Sequence, residues 1–121
     1  MFEGCINLEE APIIRAMTFN GTGAMMRMFC MNRNSKITTP KLTKGPVLPA
    51  LTIGSTSYRE MFKGNGNLVE VTCLATSGFG QCSDWLANCS DTGVFYKNPN
   101  ATVGTDGWIR TTSQIPVNWT V

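Results

Sequence analysis

The sequence predicts an α/β solenoid: a stack of short units, each giving one strand to a parallel sheet on one face and one short helix to the other, closed by a C-terminal cap. Three observations predict it. The opening "MFEGCINLEEA" returns as "MFKGNGNLVEV", so that Met1, Phe2, Gly4, Asn7, Leu8 and Glu10 match Met61, Phe62, Gly64, Asn67, Leu68 and Glu70. A third Met-Phe stands between them at Met28 and Phe29. Each unit pairs one apolar run of helical spacing with one strand-like run, and neither can bury its apolar face unless the units stack.

Taken in order, the units fall at about 1–27, 28–60, 61–84 and 85–97, with a cap over 98–121. Small polar residues (21–23, 55–57) lead into each helical run, as in Tyr58, Met61 and Phe62, where i, i+3 and i+4 share a face. Gly64 or its neighbour ends the run, because glycine takes the left-handed conformation at low cost. Strands are expected at 7–11, 36–39 and 67–74, with Leu8, Ile37, Leu68 and Val94 as a ladder. The long second unit contains "PKLTKGPV", whose prolines and glycine read as a loop insertion. In the fourth unit Trp85-Leu86 takes the Met-Phe place and "GVFYK" the strand. The tail has Trp108, Ile109, Ile115, Pro116 and Trp119 as apolar points that can seal the last unit.

Composition narrows the function. A net charge of +2, with lysines spaced apart by Thr, Pro and Gly, gives no basic stripe for nucleic acid. No apolar run reaches the ~20 residues of a membrane span, and no signal peptide opens the chain. The chain has no His, no C-x-x-C spacing and no phosphate-loop context around its glycines, so neither a catalytic site nor a metal or cofactor is expected. The odd count of five cysteines leaves at least one thiol unpaired; Cys5 and Cys73 are expected reduced and buried. The sequons at Asn20, Asn88, Asn100 and Asn118 are read as the chance product of abundant Asn, Ser and Thr.

The run "LPALTIGSTSYREMFKGNGNLVEV" resembles the repeat of BspA-like leucine-rich-repeat surface proteins, with its Leu-Pro-Ala, Tyr-x-x-Met-Phe and x-x-Leu marks. Met1, Phe2, Gly4, Cys5, Leu8, Ala11 and Pro12 supply the rest of that pattern, and the Ile-Pro-x-x-Trp-Thr-Val end is similar to the close of such proteins. The second unit, "MFCMNRNSKITTP", lacks the glycine. The resemblance implies a right-handed leucine-rich-repeat solenoid acting without catalysis as a bacterial adhesion or recognition module, outside the cell or on its surface, with a protein or glycan partner. The alternative is a structural or assembly subunit, a cell-surface or virion decoration. The ladder alignment puts Glu10, Thr39, Glu70 and Tyr96 in one outward column of the sheet, the expected ligand-binding face, since carboxylates are costly to bury. The first unit begins in mid-repeat, so Met1, Phe2, Leu8 and Ile14 are expected as an exposed apolar docking edge, flanked by an unpaired strand at 7–11 and covered by preceding repeats or another chain.

Overall fold

A computed structural model of the chain describes residues 3–15, 17–18, 22–31, 35–104, 107–111 and 114–121. Its regular structure is a four-stranded parallel sheet: β1 (Lys44–Leu48), β2 (Glu70–Cys73), β3 (Gly93–Lys97) and β4 (Trp119–Thr120), in the spatial order β1-β2-β3-β4. Lys44 pairs with Glu70, Glu70 with Val94 and Val94 with Thr120, so each strand lies beside the next one in sequence. A 3-10 turn, Phe79–Cys82, is the one helical element among the described residues.

The helices expected opposite the sheet are replaced by runs of tight turns. In the middle run the amides of Ser57, Arg59, Met61, Lys63 and Asn65 bond three residues back, to Gly54, Thr56, Tyr58, Glu60 and Phe62. Every other turn of this run has the positive φ at its third residue that a type II turn requires. It is found every fourth residue, at Thr56, Glu60 and Gly64, and again at Gly23 and Arg27 before and at Asp84 and Asn88 after. The remaining amides reach sideways. Those of Gly23, Met25, Arg27, Phe29 and Met31 donate to the carbonyls of Ser55, Ser57, Arg59, Met61 and Lys63 at 2.8–3.1 Å. Those of Tyr58, Glu60, Phe62 and Gly64 donate in the same way to Gln81, Ser83, Trp85 and Ala87. An isolated helix of two or three turns in a Gly- and Ser-rich sequence is marginal in water. Here a neighbouring segment on each side satisfies half of the backbone groups, so the turn form has more partners than a lone helix would.

Side chains from the turns and the sheet meet in one core. Phe29 lies flat on Phe62 (ring centroids 5.5 Å, 3° between planes), and Tyr58, Trp85 and Trp108 form a second column with spacings of 6.1 and 5.4 Å. Phe62 is fully buried, as the repeat alignment requires, and Leu86 is buried in the same core. Asn65 ties two segments together, its Nδ2 donating to the carbonyls of Phe29 at 2.7 Å and Phe62 at 2.9 Å. Arg27 and Glu60 hold the same turn position in successive segments. Their side chains meet at 2.7 Å, and the hydrogen bond to Glu60 outweighs partial burial and holds the Arg27 guanidinium above its usual pKa.

The alignment of Gly4 with Gly64 holds at the backbone. Gly4 donates to Cys30 as Met31 does to Lys63 and Gly64 to Ala87, and both glycines have positive φ (76° and 89°). Gly66 is needed for a different reason: a Cβ there would lie 2.4 Å from the Ile37 carbonyl oxygen, nearer than any side chain can come.

Other expectations are corrected. Residues 7–11 and 36–39 form no strand; Ile37 makes only an isolated parallel bridge to Asn65. The strand of this unit is β1, inside the stretch read as a loop. Pro46 is tolerated there because β1 is an edge strand with an irregularity between Lys44 and Val47. The Val69 amide bonds to the Thr43 carbonyl, so buried Leu42, not Ile37, is level with Leu68. Cys5 is exposed, whereas Cys73 is buried; all five thiols are free. Trp108 lies on Trp85, whose Nε1 donates to the Gln114 carbonyl at 2.8 Å, and the Trp119 Nε1 donates to the Ser90 carbonyl at 2.8 Å. The tail thus lies over the third turn segment and adds β4 to the sheet.

Candidate binding surface

Side chains alternate across each strand, and the paired register decides which residues stand together on the outer face. Val71, Cys73, Phe95 and Trp119 point inward and are buried. Facing outward are two rows. The first is Lys44, Glu70, Val94 and Thr120, in which the Lys44 Nζ lies 3.1 Å from the Glu70 Oε2. The second is Val47, Thr72 and Tyr96. Val47 is 49% and Tyr96 51% exposed, with Thr72 between them. With strands about 4.8 Å apart, the second row crosses about 10 Å of flat surface. Its chemistry is an aromatic face, an aliphatic side chain and a hydroxyl, flanked by an ion pair.

The four residues expected in one outward column are not brought together. Glu70 opens β2 and Tyr96 lies in β3, but the register sets Glu70 opposite Val94 and Tyr96 opposite Thr72, two residues apart along the strand. Thr39 is exposed in irregular chain before Pro40. Glu10 is exposed too, beyond the edge of β1, where residues 9–14 and 44–47 enclose an open, mainly apolar groove of about 360 Å³. The error has two sources: the second unit's strand starts at Lys44 and not at Lys36, and Val94 pairs with Glu70 and not with Leu68, so an alignment carried through Ile37 and Leu68 gives the wrong column. Val47 and Thr72 were missed. The signal for them lay in matching "EVTC" to "VFYK", each with a buried residue followed by an outward one.

Of the expected docking edge, Met1 and Phe2 lie outside the described residues. Leu8 and Ile14 are half-buried and pack against the main core, so they do not form an exposed edge. Ile13, beside Ile14, is the residue that stands out, 80% exposed.

The buried thiols show no preparation for chemistry. Burial pushes Cys73 and Cys89 up to about 12, against hydrogen bonds from the backbone at Ala75 and Asn65 respectively. Burial also raises Cys82, with Cys73 adding to the effect, and raises Cys30. A nucleophilic cysteine needs the opposite shift. Among the described residues, no helix is long and apolar enough to cross a membrane. No family model matches the chain, and no match was found among curated proteins or solved structures.

Proposed function

We propose that this chain is a non-enzymatic recognition module, a short right-handed solenoid of BspA-like leucine-rich-repeat type, that binds a protein or glycan partner at an exterior surface through its sheet face. The observation that carries this reading is the row Val47, Thr72 and Tyr96: a half-exposed aromatic and a half-exposed aliphatic side chain held in register on a parallel sheet. Such a row can take a sugar ring or an apolar side chain against the tyrosine, with the threonine hydroxyl to orient it. The repeat marks quoted above and the stacked turn segments agree with a solenoid.

The test is a binding screen of the purified chain against glycan arrays and extracellular-matrix proteins, repeated with Tyr96→Ala and Thr72→Arg. A ligand bound by the wild-type chain and weakened at least about ten-fold by both variants supports the reading. Binding that is indifferent to both moves the site off the sheet face. A fixed-stoichiometry native complex with no ligand in either screen replaces recognition with an assembly role.

A further inference from the structure

The groove beside β1 has apolar walls, with Ile13 and Ile14 on one side and Pro46 and Val47 on the other. Ile13 is the most exposed large apolar side chain among the described residues, and Val47 on the opposite wall is half-exposed. A contiguous apolar surface rimmed by charge marks a contact site. Most charges of this rim are already matched. The Lys44 Nζ lies 3.1 Å from the Glu70 carboxylate, and the Lys41 Nζ lies 3.7 Å from that of Glu9. Glu10, on the groove, and Arg15, next to Ile14, are left over. Both are exposed, and among the described residues neither side chain has a partner. The rim thus holds one unmatched acid and one unmatched base, with the exposed isoleucine between them.

We propose that the groove docks a second copy of this chain about a two-fold axis, with Ile13 of each copy entering the other's groove against Val47 and with two reciprocal ion pairs between Glu10 and Arg15. Charge complementarity selects this occupant. A two-fold contact needs a patch that is complementary to itself, and most charged patches fail because like meets like across the axis. Here Glu10 and Arg15 are equally distant in sequence from the Pro12–Ile13 bond. Two antiparallel copies of the segment, centred on that bond, therefore set the acid of each opposite the base of the other and bring the two isoleucines together at the centre. The contact is small and its ion pairs are exposed, so the dimer is weak, with a dissociation constant of about 10 µM to about 1 mM. Val47 is the one residue it shares with the row Val47, Thr72 and Tyr96, and the inference does not rest on the recognition reading of that row.

Sedimentation equilibrium of the full chain, from about 5 µM to about 1 mM, is expected to show a mass that rises from 13.2 kDa toward twice that value and no further. Ile13→Asp is expected to hold the monomer mass throughout this range. Glu10→Arg and Arg15→Glu are each expected to weaken association at least about ten-fold, because like charges then face each other across the axis. All three positions are exposed, so the melting temperatures should stay in place. An equimolar mixture of the two charge variants is expected to dimerise as the wild type does, and so is the chain that carries both substitutions, since each restores opposite charges at both pairs. Tyr96→Ala is expected to leave association unchanged. A chain that is monomeric at about 1 mM, a dimer indifferent to Ile13→Asp, or charge variants that neither the mixture nor the double substitution restores would overturn the proposal. So would a mass beyond the dimer, which needs a contact that does not close on itself, and so would a dimer lost in Tyr96→Ala, which moves the contact to the middle of the sheet face.

Discussion

The two faces of this molecule were built by different rules. On the strand face, side chains alternate in and out, and the backbone groups pair across parallel neighbours in a regular register. On the turn face, seven residues of the middle segment (Ser57, Tyr58, Glu60, Met61, Phe62, Gly64 and Asn65) are buried at near-helical spacing, yet the backbone there is not helical. Buried positions report which side chains face the core; they do not report what the backbone between them does. Over two turns, a period of four and one of 3.6 select almost the same residues. The difference shows only in φ, positive at Thr56, Glu60 and Gly64, and in amides that alternate between their own segment and the next.

The largest expected effect tests whether the turn face carries the stability. Phe62→Ala removes a fully buried ring stacked on Phe29 and is expected to cost about 3–5 kcal/mol, enough to unfold a small domain of ordinary stability. Chemical denaturation followed by tryptophan fluorescence measures it. A midpoint within error of wild type would break the alignment of Met28-Phe29 with Met61-Phe62.

Asn65 separates backbone bridging from side-chain packing on the same face. Asn65→Ala leaves the Phe29 carbonyl without its side-chain donor and is expected to cost about 1–3 kcal/mol. Asn65→Asp keeps the size but not the donor and is expected to cost at least as much. If the aspartate variant matched wild type, the two hydrogen bonds would not be holding the segments together.

Alkaline pH tests the core between the faces. Cys73 and Cys89 stay protonated in the folded state up to about 12, whereas an unfolded thiol loses its proton near 9.0. Between these values the folded state binds more protons, so stability falls as pH rises, by about 1.4 kcal/mol per pH unit for each such thiol. It is fully present below the lower value. Urea midpoints measured between about pH 8 and about pH 10.5 should decline, and Cys73→Ala should flatten the decline by one thiol's share. A variant as steep as wild type would show that Cys73 is not sealed beneath the sheet.

A smaller effect of opposite sign sharpens the backbone half of the comparison. Thr56 holds φ 50°, a cost of about 1–2 kcal/mol for a residue with a Cβ, while glycine loses about 0.5–1 kcal/mol more entropy on folding. Thr56→Gly is therefore expected to stabilise by about 0.5–1 kcal/mol, visible as a raised melting temperature. Destabilisation would mean that the turn geometry at this position is wrong. The smallest change belongs to the strand face: Tyr96→Ala, at a half-exposed outward position, is expected to shift stability by no more than about 0.5 kcal/mol, so that any loss of binding is read without a folding term.

The sequence by itself determined which residues repeat and the aromatic part of the core. Phe29 and Phe62 came together because Met-Phe recurs, Gly4 and Gly64 share a conformation and a backbone bond because they share a place in the repeat, and the strand at "GVFYK" was legible from its bulky alternating residues. Tertiary structure decided what local pattern leaves degenerate. The turns won over helices because neighbouring segments satisfy the alternate amides, partners that no window of the sequence contains. The strand of the second unit fell at Lys44–Leu48, despite Gly45 and Pro46, because an edge position needs no amide at the proline. That placement set Val47 beside Thr72, and the separate pairing of Glu70 with Val94 set Tyr96 beside Thr72, so the expected column through Glu70 and Tyr96 gave way to the row of Val47, Thr72 and Tyr96. Strand pairing is a contact between distant residues, and a slip of two positions leaves the in-and-out alternation of each strand intact, so only the paired neighbours could fix it.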